Sequence, residues 1–78
     1  MFKIIFKSKK DAELFSLYLL KNKVVEMCDV FYNVENIYMY RNKICKEKVF
    51  IILLNPYGSK SKVLKYLKFN FKDYYIYI

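Results

Sequence analysis

The chain has 78 residues, a formal net charge of +8 and no histidine, a length that makes one domain, residues 1–78, burying only about 60–65% of its unfolded surface. Its longest apolar run, VFIILL at residues 49–54, is far short of the ~20 residues that span a bilayer, and the opening MFKIIFKSKK lacks the apolar segment of a signal peptide; no membrane contact is expected, and a reducing, cytoplasmic setting is. Fourteen of the fifteen basic residues are Lys and only Arg41 is Arg, so the side chain suited to bidentate phosphate and guanine contacts is nearly absent, and the charge reads as a solvated Lys-rich surface.

In chain order, FKIIF at residues 2–6 alternates, with Phe2, Ile4 and Phe6 on one face and Lys3, Ile5 and Lys7 on the other, as in a half-buried strand. Ser8 follows, with Asp11 three residues on, a spacing that satisfies free amides at a helix start. The helix is expected to run to about Asn22, turning Ala12, Phe15, Leu19 and Leu20 inward and leaving Leu14 and Leu17 toward the far side.

The stretch NVENIYMYRNKICKEKVFIILL, residues 33–54, then reads as the outer part of a long β-hairpin whose first arm reaches back through VVEMCDVFY to Val24. Arg41-Asn42 is the turn, because Asn tolerates the left-handed backbone of a tight hairpin and the flanks are β-branched or aromatic. A two-residue loop sets Tyr40 opposite Lys43, Tyr38 opposite Cys45, Asn36 opposite Glu47 and Glu35 opposite Lys48; a slip of one residue would lose the last, oppositely charged pair and exchange the two faces. Arms of about 12 residues span roughly 40 Å, whereas a helix of that length covers about 18 Å. The hairpin therefore overhangs its helices, and a bare two-stranded ribbon is marginal in water. Another copy of the chain is the simplest cover.

Asn55-Pro56-Tyr57-Gly58 holds the only Pro and the only Gly and ends the second arm. Ser59 or Ser61 caps a second helix, SKSKVLKYLKF, with Val63, Leu64 and Leu67 inward and Lys60, Lys62, Lys65 and Lys68 outward. DYYIYI closes the chain as a strand. The expected fold is α+β: a ferredoxin-like βαββαβ sandwich, with two helices on one face of an antiparallel sheet built around the long central hairpin.

The densest motif is NVENIYMYRNKI, residues 33–44, which stands against a pattern close to N-V-x-S-I-Y-x-W-x-G-K-I: Val34, Ile37, Tyr38, Lys43 and Ile44 match, with Tyr40 for Trp and Asn42 for Gly. VFIILL fits V-x-x-I-I-K-T, and Leu19, Leu20 and Lys23 fit L-L-x-x-K, without a gap over residues 8–54. In these motifs the chain resembles the CutA divalent-cation tolerance proteins, small ferredoxin-like domains that form tight homotrimers. It departs from them elsewhere. Met27 stands at the Cys of the family's A-A-C segment, with Cys28 one place later; Cys45 falls on an acidic position; FNFKDYY replaces H-P-Y-x-x-P-E; and the closing strand and C-terminal helix have no counterpart before Ile78. The resemblance implies a homotrimer held by Val34, Glu35, Ile37, Tyr38, Tyr40 and Lys43, clefts between neighbouring chains for an ion or small anion, and a role without turnover in tolerance of divalent metals such as copper.

No enzyme is expected from the residues themselves. There is no His for general-base work, no Ser beside a base, and no Gly-rich phosphate loop around the lone Gly58; residues 7–10 lack the glycines and Arg of an acylphosphatase loop. Met27, Cys28 and Cys45 are soft ligands suited to Cu(I), and Asp29 can add an oxygen. Neighbours on a strand point to opposite faces, so Met27 and Cys28 of one chain cannot share an ion, whereas a threefold assembly can gather three copies of one Cys. Cys28 and Cys45 are thus the candidate metal ligands, for copper or another divalent metal; no cofactor is required, and the alternative is two small apolar residues in a sheet. Tyr38, Tyr40, Tyr74, Tyr75 and Tyr77 read either as a stacking platform for RNA bases or as aromatics packed against neighbouring subunits. The strand CKEKVFIILL carries no glycine and only apolar residues where an RNA-recognition domain needs its stacking rings, which favours packing. The alternatives to an ion-tolerance homotrimer are a basic nucleic-acid-binding module on the same fold and a family member keeping only the trimeric scaffold.

Overall fold

A computed structural model describes residues 1–56 and 58–77. Its elements are β1 (Phe2–Phe6), α1 (Lys9–Lys21), β2 (Asp29–Tyr40), β3 (Lys43–Leu54), α2 (Lys60–Asn70) and β4 (Tyr74–Tyr77). This is the expected βαββαβ order, and the strands form one antiparallel sheet in the order β2-β3-β1-β4. Phe2, Ile4 and Phe6 share one face of β1 and join Ile52 and Leu54 of β3 in a single buried cluster with Ala12, Phe15 and Leu19 of α1 and Val63 and Leu67 of α2. Both helices therefore cover the same face. Phe15 lies at the centre of this layer, with ring centroids 5.4 Å from Phe6, 5.8 Å from Phe71 and 5.9 Å from Tyr66.

Ser8 caps α1 as its spacing predicts: its backbone is extended and its hydroxyl accepts from the Asp11 N–H at 3.3 Å. Leu20, expected inward, is instead exposed, because it lies about 90° around the helix from the centre of the buried stripe. Ser16 takes the inward place, its hydroxyl donating to the Ala12 carbonyl at 2.8 Å so that burial leaves it paired. Leu14 and Leu17 are exposed.

The first hairpin arm begins at Asp29 and not at Val24. Lys23 takes a left-handed backbone (φ 55°), which turns the chain back over the end of α1. The Val24 and Val25 amides then donate to the Leu19 carbonyl at 2.9 and 3.5 Å. Those amides are unavailable to a strand partner, and the ladder is also interrupted before them: Asp29 already faces Leu53, so the same register would set Glu26 opposite Pro56, which has no N–H to donate. Val25 is buried over the core.

The rest of the hairpin has the expected register, with Tyr40 opposite Lys43, Tyr38 opposite Cys45, Asn36 opposite Glu47 and Glu35 opposite Lys48. Arg41 and Asn42 both have positive φ (50° and 62°), the backbone of a type I′ turn that continues the right-handed strand twist. A bulge not anticipated from the sequence lies at Tyr32 and Asn33, which together oppose Phe50; Asn33 is left-handed (φ 55°), and Phe31 and Val34 on either side fall on one face.

Between β3 and α2 the chain breaks as expected, with Gly58 at φ 96° and the Ser59 N–H donating to the Pro56 carbonyl at 2.7 Å. Tyr57 of that break and Ile78 of the closing strand lie outside the described residues. Ser59 is the N-cap of α2 without a side-chain hydrogen bond. Val63 and Leu67 are buried and Leu64 half-buried, while Lys60, Lys62, Lys65 and Lys68 are exposed.

Candidate functional site

β1 pairs with β3 only over Phe50 to Leu54. Residues 43–49 of β3 therefore pair with β2 alone, forming a ribbon that extends roughly 23 Å beyond the third strand at about 3.3 Å per residue. The elongated shape, 42 × 20 × 20 Å, reflects this overhang. No helix covers the ribbon, and apart from the buried Val49 at its base both sides meet solvent. One side carries Glu35, Ile37 and Met39 beside Ile44, Lys46 and Lys48; the other carries Val34, Asn36, Tyr38 and Tyr40 beside Lys43, Cys45, Glu47 and Val49. Ile37, Met39 and Ile44 are 60%, 66% and 69% exposed. Scattered apolar exposure is ordinary, but neighbouring β-branched and thioether side chains on a bare ribbon form a patch of the kind that marks association.

The second side continues onto the sheet face opposite the helices. Ile5 and Val49 are 7% and 1% exposed there although no helix packs on them, and Ile5, Asn36, Tyr38, Glu47, Tyr75 and Tyr77 line an open groove of about 250 Å³. Lys3 lies over the Tyr77 ring at 5.2 Å, Lys7 over Tyr75 at 5.6 Å and Arg41 over Tyr40 at 5.2 Å. The Glu47 carboxylate raises the Tyr38 phenol, and Tyr75 with Glu47 raises the Lys7 ammonium. Tyr38 thus stays neutral and Lys7 charged at pH 7. Of the five tyrosines proposed as a base-stacking platform, Tyr38, Tyr40, Tyr75 and Tyr77 share this face, whereas Tyr74 turns to the core and packs on Phe6 at 6.4 Å.

The six residues anticipated at an assembly interface thus divide between the two sides. Val34, Tyr38, Tyr40 and Lys43 lie on the open sheet face, and Glu35 and Ile37 on the other. Met39 and Ile44, which were not among the anticipated interface residues, complete the apolar side; their pairing with each other across the hairpin was implicit in the turn register. Phe31 joins Val34 through the bulge.

The two cysteines are not brought together. Cys28 lies just before β2 on the helix side, beside Ser16, Leu17, Leu20 and Val30. Cys45 lies on the open face, seven residues along β3 from the Val30–Ile52 pair, roughly 23 Å away. Burial, with the Asp29 carboxylate adding to it, pushes the Cys28 thiol up, which disfavours the thiolate that binds metal. Cys45 is half-buried and its thiol points to the Lys43 carbonyl at 3.8 Å. Among the described residues no three His, Cys, Asp or Glu side chains gather to hold a metal ion. Cys28 and Cys45 of one chain therefore cannot share an ion.

No family model matches the sequence, and no curated protein is significantly similar to it. Solved structures do share its fold. The divalent ion tolerance protein CutA1 from Ehrlichia chaffeensis superposes with a TM-score of 0.79 at 18% identity, over 97% of this chain and 74% of its own. The periplasmic divalent cation tolerance protein CutA from Archaeoglobus fulgidus gives 0.75 at 19% identity, over 97% and 76%. The divalent cation tolerance protein from Thermus thermophilus gives 0.74 at 11% identity, over 99% and 80%. At these identities the likeness establishes the fold.

Proposed function

We propose that the chain is a CutA-like subunit, non-catalytic and cytoplasmic, that assembles as a homotrimer through its overhanging hairpin and serves in tolerance of divalent metal ions such as copper. The observation that carries this reading is the ribbon beyond β1. It exposes apolar side chains on both sides, so one flat contact would leave half of it in water, whereas seating it between two neighbours of a threefold ring covers both. The fold shared with proteins named for divalent-ion tolerance supports the ion role.

The metal part of the proposal lies between subunits, since Cys28 and Cys45 of one chain are too far apart to share an ion. Cys45 is the better donor: it sits on the ribbon, where three copies can approach, while Cys28 is held as a thiol. The dispersed donors favour one second reading, a scaffold that keeps the assembly without the ion site.

Light scattering on the reduced protein at micromolar concentration tests the assembly, with a mass near three times 9.6 kDa expected. A clean monomer refutes it. Titration with Cu(I) and Cu(II) then separates the two readings: binding lost in Cys45→Ser and kept in Cys28→Ser supports the ion role, and no binding supports the bare scaffold.

A further inference from the structure

The helix layer carries a concavity on the side of the molecule away from the open sheet face. α2 meets α1 through Tyr66 and Tyr18, whose rings are parallel within 2° with centroids 3.5 Å apart. Beside this pair is an open hollow of about 240 Å³, lined by Tyr18 and Val24 and by Lys62, Lys65, Tyr66, Phe69 and Asn70 of α2. Lys62, Tyr66, Phe69 and Asn70 stand at i, i+4, i+7 and i+8, so one face of α2 presents them together with Lys65 at its border. Lys62 and Phe69 are separated by ~10 Å along the helix axis.

Two features of this face are unusual for a solvated lysine helix. Phe69 is 75% exposed, although a ring of that size normally finds cover. The lysines also have no carboxylate on their own helix, since α2, KSKVLKYLKFN, contains no Asp or Glu, and among the described residues the ion pair formed is Lys9 with Glu13 on α1, not one to Lys62 or Lys65. An aromatic wall, an exposed ring and two uncompensated cations complement a planar ring that carries an anionic group. The volume is smaller than the roughly 300–1,000 Å³ of a pocket that encloses a whole ligand, so it seats one ring system and leaves the attached group at the rim.

We propose that this concavity binds a nucleoside monophosphate, its base packed on Phe69 and the Tyr18–Tyr66 pair and its phosphate on Lys62 and Lys65. Base stacking on aromatics is tolerant of base identity, so purine and pyrimidine monophosphates both bind. Burial and the neighbouring Tyr18 raise the Tyr66 phenol, which keeps that wall neutral beside the phosphate. The site does not depend on the hairpin assembly.

The test is calorimetric titration of the full chain with AMP and UMP at about 0.1 M salt. Saturable binding of one equivalent per chain is expected. Phe69→Ala should weaken it about 5- to 150-fold. The pair Lys62→Gln and Lys65→Gln should weaken it about tenfold or more, while Lys9→Gln with Lys10→Gln, an equal charge change on α1, should leave it unchanged. Adenosine and inorganic phosphate should each bind more weakly than AMP. All these side chains are exposed, so the variants fold, which circular dichroism verifies. The proposal is overturned by absence of saturable binding, by equal losses in the two lysine pairs, by an unaffected Phe69→Ala, or by binding confined to oligonucleotides.

Discussion

The overhanging ribbon makes its strongest prediction through Ile37 and Ile44, which lie on one side of it and are 60% and 69% exposed in the single chain. Full burial of an Ile side chain contributes about 1.5–3 kcal/mol, so covering the exposed fraction contributes about 1–2 kcal/mol at each position. Replacing both by Ser removes roughly 2–4 kcal/mol per subunit and roughly 6–12 kcal/mol per trimer. At about 1.4 kcal/mol per tenfold, the association constant falls by about 10⁴ to 10⁸. The half-assembly concentration of a trimer varies as the square root of that constant, so it rises about 100- to 10⁴-fold. Sedimentation across nanomolar to hundred-micromolar concentrations measures the shift. Neither residue belongs to the buried core of the isolated subunit, so its circular dichroism spectrum should change little. A variant that keeps the parent's mass at every concentration refutes the reasoning, because the ribbon would then be exposed in the assembled state as well.

Other consequences follow from the subunit itself. Phe15→Ala removes the ring at the centre of the aromatic layer and should cost about 3–5 kcal/mol, against a total of about 4–12 kcal/mol for a chain of this length; urea titration should find it barely folded. Arg41→Asn places a residue that accepts the left-handed backbone at a position with φ 50° and should stabilise the turn by up to about 1 kcal/mol, read as a higher denaturation midpoint. The Cys28 thiol is raised in the folded chain, so folding holds its proton more tightly than the unfolded chain does. That contribution is fully present below the unfolded value of about 8.5 and is lost as pH rises through the native value. Stability should therefore fall more steeply above about pH 8.5 in the parent than in Cys28→Ala; parallel profiles would refute this.

What the sequence discloses is mostly what short range decides. Ser8 with Asp11 marks a helix start because the cap is made within one turn, and the hairpin register follows once Asn42 is recognised as a turn residue, since alternation and the Glu35–Lys48 pair then fix every partner. Long-range competition hides the rest. Val24 and Val25 are β-branched and read as strand, but the Leu19 carbonyl captures their amides and the hairpin register would carry them past Pro56, which falls opposite Glu26. Asn33 sits inside an apolar run with only its tolerance of positive φ to signal the bulge, and that bulge decides that Phe31 and Val34 share a face. Leu20 and Ser16 differ in polarity in the wrong sense for their places, and only the direction of the core around α1 resolves them. The Tyr18–Tyr66 stack joins residues 48 apart in the chain, with no local pattern to announce it. For the candidate interface, sequence located the ribbon but not its division into two sides, which depends on where β1 stops.

The balance between charge and burial on the ribbon yields a last prediction, one that also separates assembly from polyanion binding. Each chain carries a formal charge of +8, and on the ribbon Arg41, Lys43, Lys46 and Lys48 outnumber Glu35 and Glu47. Three ribbons brought together therefore repel, and apolar burial must overcome that repulsion. Salt screens it: the Debye length falls from about 10 Å at 0.1 M to about 3 Å at 1 M. Assembly through the apolar sides should consequently strengthen as salt rises, with the half-assembly concentration decreasing between about 0.05 and 0.5 M. Binding to a nucleic acid runs the other way, because released counterions make its affinity fall steeply with salt. Sedimentation at fixed protein concentration and graded sodium chloride gives the sign directly. An assembly that dissociates as salt rises would mean that ion pairs hold the interface, and Ile37, Met39 and Ile44 would then have to lie outside it.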